Sequence, residues 1–147
     1  MGIQDPARRS VTITGLIVPL ILLLQVTVLA AADPSADQAA KLEFFEKKIR
    51  PVLVLHCYEC HSVLSKEPKG ELLLDSRPGM QKGGESGPAV VPGNLEKSLL
   101  VSAMKHESLE MPPKKKLPAA VIQDFVSWIK AGAVDPRDEP ASPQALS

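Results

Sequence analysis

The run His56-Cys57-Tyr58-Glu59-Cys60-His61 carries the only two cysteines of the 147-residue chain. They lie three positions apart, so no disulfide framework can staple the fold. Cys-x-x-Cys-His is the spacing of c-type haem attachment. Two sulfurs on adjacent turns can form thioether bonds to the two vinyl groups of one porphyrin. The next residue, His61, is then held beneath the iron as its proximal ligand. Two rival uses of the cysteines fit less well. A redox disulfide of the thioredoxin kind belongs at a strand–helix junction, and no strand pattern precedes Cys57. A structural zinc site needs four ligands, and no second Cys/His pair is spaced to complete one. One covalently bound haem is therefore the expected cofactor.

Porphyrin and His61 fill all but one of the iron's coordination positions, and the last position decides the chemistry. A soft thioether there raises the potential and closes the iron to small ligands, which suits electron transfer. The candidates are Met80, Met104, Met111, His56 and His106. Met80 is expected in a loop, and Met104 in a helix where core packing is its simpler use. His56 directly precedes Cys57, too near in sequence to reach the other haem face easily. His106 ends a helix, where a cation suits the negative terminus. Met111 lies in a turn stiffened by Pro112 and Pro113, which lower the entropy lost in presenting its side chain. Met111 is the preferred distal ligand, with His106 next. An open sixth position would instead suit a haem peroxidase or a small-ligand sensor.

Composition agrees with a filled interior. With 17 basic and 17 acidic residues the chain has no net charge, which argues against a nucleic-acid binder. Only three Phe, one Tyr and one Trp are present, and Asp33–Ser147 carries 12 of the 14 prolines and 7 of the 9 glycines. So thin a core is expected to need a large apolar group at its centre. Without haem this segment is expected to be largely unfolded.

The chain opens with a polar stretch ending in Arg8-Arg9, then a mainly apolar run from Ile13 to Leu29, then Ala30-Ala31-Ala32. That order reads as an export signal cleaved before Asp33. The alternative is an uncleaved anchor associating with a membrane through residues 11–32. The residues around Arg8-Arg9 do not support a twin-arginine signal. On either reading the remainder is exported, with a periplasmic location expected. Residues 1–32 are thus assigned as signal or anchor, 33–136 as the folded domain, and 137–147 as a disordered tail or linker.

Within the domain, Leu42, Phe45 and Ile49 fall on one helical stripe, with Ser35 and Gln38 as a capping box. Helices are expected at about 37–50, 52–63, 94–106 and 118–131, with a bend at Pro51. Ten prolines and glycines between Ser65 and Gly93 deny that connection regular helix. Phe44 or Phe45 should pack on Phe125 and Trp128, joining the first helix to the last. Arg77, Lys82, Ser86 and the Trp128 indole are candidates for the haem propionates. Lys114, Lys115 and Lys116 would steer an acidic redox partner, although such a run is more often a solvated loop.

Taken together, Phe45, Ile49-Arg50-Pro51-Val52-Leu53 and the Cys57–His61 motif resemble class I cytochrome c domains, and more specifically the planctomycete-type cytochrome c domain. The likeness continues through Leu74–Arg77, Lys82–Gly93, Ser98–Leu100, Met111–Lys114 and Asp124–Arg137. It implies an all-α fold: a small class I cytochrome c-like helical bundle around one covalently attached haem, preceded here by the apolar signal or anchor helix. It implies Cys57 and Cys60 as the attachment residues, His61 as proximal ligand and Met111 as distal ligand. The expected function is one-electron transfer rather than catalysis. The expected partner is a redox protein or the additional domains of a longer relative, since members usually continue into large exported domains.

Overall fold

The computed structural model describes residue 2 and residues 34–140 of the chain. The expected export or anchor segment, and the end of the expected tail, lie outside the described residues. Among the described residues the structure is helical, with one isolated bridge between Gly84 and Gly87 and no strand. No described helix is long and apolar enough to cross a membrane.

The first two expected helices form one continuous rod. Helix α1 (Pro34–Phe44) passes through a wide π-helical turn at Phe45–Ile49 into α2 (Arg50–His56). Pro51 does not break the chain, because it occupies the first turn of α2, where a proline's missing N–H costs little. The ring would still clash with a carbonyl one turn back. A widened turn accommodates it, with the Arg50 N–H reaching back five residues to the Phe45 carbonyl. Ser35 falls inside the first turn of α1 and is not its cap. α2 ends at His56, well short of the expected residue 63.

The connection after the Cys57–His61 motif holds more helix than its prolines and glycines suggest. A 3₁₀ turn at Lys69–Glu71 is followed by α3 (Arg77–Lys82). Ser76 caps α3 by accepting a hydrogen bond from the Gly79 N–H at 3.2 Å, and Pro78 sits in the first turn. These are favourable helix-start residues, so breakers in the sequence act here as starters. Met80 is therefore in a helix, not a loop, and is buried in the core.

Helix α4 (Leu99–Met104) is shorter than expected. Asn94 does cap, but caps only a turn, its Oδ1 accepting from the Lys97 N–H. Helix α5 (Ala119–Lys130) matches its predicted span, and Ile122, Phe125, Trp128 and Ile129 are all buried. The expected aromatic packing is present: the Phe45 and Trp128 ring centroids are 5.8 Å apart, and Phe125 meets Trp128 edge-on at 6.1 Å. Each such side chain contributes about 1.5–3 kcal/mol through burial. The first rod and the last helix thus form the frame on which the intervening loops are hung.

Candidate functional site

α2 delivers Cys57, and the motif itself is a helix-like turn. The His61 N–H donates to the Cys57 carbonyl at 2.9 Å, and the Cys60 N–H donates to the same oxygen at 3.1 Å. Residues three and four apart on such a turn face the same way, so Cys57, Cys60 and His61 share one side. All three line a cleft of about 430 Å³, within the range of small-molecule and cofactor sites. The wall is mainly apolar, with Leu72, Leu74, Ala89 and Leu100 among its residues.

The turn is held from outside by the next segment. Leu74 donates its N–H to the His61 carbonyl at 2.8 Å, and Lys69 donates to the Cys60 carbonyl at 3.0 Å. Burial pushes the His61 pKa down, opposed by the carbonyls of Leu72 and Lys69. The neutral imidazole, which has a lone pair to offer a metal, is thereby favoured. Its Nδ1 is buried without a well-formed hydrogen bond. Burial, with a smaller contribution from neighbouring Cys60, pushes the Cys57 thiol up to about 12. A reactive Cys-x-x-Cys cysteine has its pKa lowered instead.

Met111 also lines the cleft, held there by its N–H, which donates to the Ala103 carbonyl at 3.1 Å. So does Met104, at the end of α4, whereas neither Met80 nor His106 is among the lining residues. His56 lines the cleft beside Cys57. His106 has left-handed backbone and a buried, unpartnered Nε2.

The expected propionate candidates are divided. Ser86 lies on the rim. Trp128 is committed elsewhere, its indole N–H donating to the Val134 carbonyl at 2.8 Å. Arg77 is likewise engaged, with the Asp138 carboxylate and the Asp135 carbonyl. Lys82 is exposed and away from the lining. Lys114, Lys115 and Lys116 are exposed, and Lys114 stands 4.0 Å from Glu59.

Several lining residues had no signal in the sequence. Lys69 and Leu117 are brought in only by the path of their loops. Gly84 and Gly87 exchange backbone hydrogen bonds in a tight turn, which Glu85 pins to the 3₁₀ turn by donating its N–H to the Gly70 carbonyl at 2.9 Å. A Cβ on Gly83 would meet the Gly87 carbonyl oxygen at 1.9 Å, and one on Gly84 would meet the Gly70 oxygen at 2.2 Å. The paired glycines of this segment are what let the rim close.

The donor set and the cleft suit a flat apolar macrocycle bearing an iron. Two thiols sit beside an imidazole and share an apolar wall with two thioethers. Residues 57–115 match the family model described as Planctomycete cytochrome C. No curated protein and no solved structure matches the chain.

Proposed function

We propose that this chain, whose residues 57–115 carry a planctomycete-type cytochrome c domain, is an exported one-electron carrier with one covalently held haem. The observation that carries the proposal is the convergence of Cys57, Cys60, His61 and Met111 on one apolar cleft. Cys57 and Cys60 hold the macrocycle through thioether bonds. His61 would supply a ring nitrogen to the iron, and its burial favours the neutral, ligating imidazole. Met111 would supply a thioether sulfur to the iron, a soft neutral donor with no proton to exchange. When bound, the haem would supply a ferrous/ferric couple. The chain's apolar lining disfavours charge at the centre. No substrate bond is made or broken, so the chain acts as a carrier and not as an enzyme. The apolar run before Asp33 supports an exported location.

The test is the optical spectrum of the haem-loaded chain and of two single variants. The oxidised protein is expected to show the thioether-to-iron charge-transfer band and a low-spin spectrum. Met111→Ala should lose that band, and Met104→Ala should keep it. The reverse result would reassign the ligand to Met104. High-spin iron that readily binds carbon monoxide in the unmodified chain would overturn the carrier assignment.

A further inference from the structure

Behind the Cys57–His61 turn, on residues the haem ligation does not use, lies a cluster of buried charges. Asp75 is fully buried; one oxygen accepts the Val63 N–H at 2.9 Å, and the other has no partner. Asp135 is 2 % exposed, and it receives the Arg137 guanidinium through Nε at 2.8 Å and Nη2 at 2.6 Å. The same guanidinium donates to the Tyr58 hydroxyl inside the motif and to the Leu74 carbonyl, and stands 4.9 Å over the Phe45 ring. Asp135 thus pairs with the guanidinium, while Asp75 directly follows Leu74, whose carbonyl the same guanidinium bonds, and itself holds Val63.

These contacts touch the motif from three directions. Tyr58 lies between the two cysteines, Val63 lies two residues beyond His61, and Leu74 is the residue bonded to the His61 carbonyl. Buried charges are costly and are retained only where paired or functionally placed. The unpartnered Asp75 oxygen is not accounted for by packing. A fixed charge in a low-dielectric interior acts strongly on a nearby centre whose own charge changes. A carboxylate stabilises the more positive ferric state, and a guanidinium stabilises the ferrous state.

We infer that Asp75 and Arg137, with Asp135, form a positioning cluster that clamps the proximal turn and sets the reduction equilibrium of the haem iron. This rests on the haem assignment above. The two charges pull in opposite senses. Removing the Asp75 charge disfavours ferric iron and raises the potential; removing the Arg137 charge lowers it. Loss of packing alone would not give opposite signs.

The experiment titrates the haem-loaded full chain against an electrode, together with Asp75→Asn, Arg137→Gln and Arg137→Lys. Asp75→Asn keeps the size of the side chain and an acceptor for Val63, so it decides the matter even where Arg137→Gln does not fold. Asp75→Asn is expected to shift the equilibrium toward ferrous iron by about threefold to tenfold, which is ~28–59 mV at 59 mV per tenfold for one electron. Arg137→Gln is expected to shift it the other way, and Arg137→Lys to stay nearer the unmodified chain. Unchanged potential in Asp75→Asn, or shifts of the same sign in Asp75→Asn and Arg137→Gln, would overturn the inference while leaving the haem assignment standing. An unmodified chain that takes up no covalent haem would overturn that assignment itself.

Discussion

Tyr58 is the chain's only tyrosine, which makes its ionisation readable without interference from others. Burial pushes its pKa up to about 12, with Arg137 opposing and the carboxylates of Asp75 and Asp135 assisting. A phenol whose folded pKa exceeds the unfolded value of about 10 favours folding in its protonated form. Its contribution is complete below pH 10 and is lost as the pH rises from about 10 to about 12. A phenolate absorbance titration should therefore show a midpoint near 12 in the folded protein, with stability falling across that window. A midpoint near 10 with the fold intact would show that the hydroxyl is not enclosed. At this scale Cys57, Cys60 and His61 were legible from the sequence, because their spacing is itself the chemistry. Asp75 and Arg137 fell within the segments of family likeness, but their burial behind the motif was not legible, because a lone Asp and an Arg after a Pro carry no periodic signal. Arg137 was even expected to begin the tail, yet its side chain is 11 % exposed and fully engaged.

The elements tell how far patterning reaches. α5 was legible because Ile122, Phe125, Trp128 and Ile129 recur at helical spacing and a Gly follows. α3 was missed because Pro78 and Gly79 read as breakers, although Ser-x-Pro at a helix start is a capping arrangement. The π turn before Pro51 leaves no periodic trace, since it is a response to one clash. Phe125 is fully buried at the junction of rod and last helix. Phe125→Ala is expected to cost about 3–5 kcal/mol, read as a fall in the denaturation midpoint at unchanged slope. The glycine rim offers a paired test. Gly83 and Gly93 share the same positive φ of 74°, but only Gly83 has a close neighbour for a Cβ. Gly93→Ala should cost about 1–2 kcal/mol through backbone strain. Gly83→Ala should cost a further 1–3 kcal/mol or so from overpacking and also lower haem uptake. Equal losses for the two variants would show that contact at the rim does not matter.

Over the whole molecule, five aromatic side chains and a cleft of about 430 Å³ belong to one design. Leu72, Leu74 and Leu100 line the cleft while also packing on the core, so a flat apolar group bound there would extend that core. A ligand bound only to the folded state stabilises it by mass action, and a covalent one cannot dissociate. The Cys57→Ala/Cys60→Ala double variant is expected to lose covalent haem and much of its helical circular dichroism. A cooperative melt with full helicity in that variant would show that the side chains suffice. The most direct test of the central claim is the intact mass of the chain, produced where haem is attached to exported proteins, followed by peptide mapping. The account predicts one added haem mass, carried by the peptide that contains both Cys57 and Cys60. An unmodified mass, with both thiols free under those conditions, would contradict it.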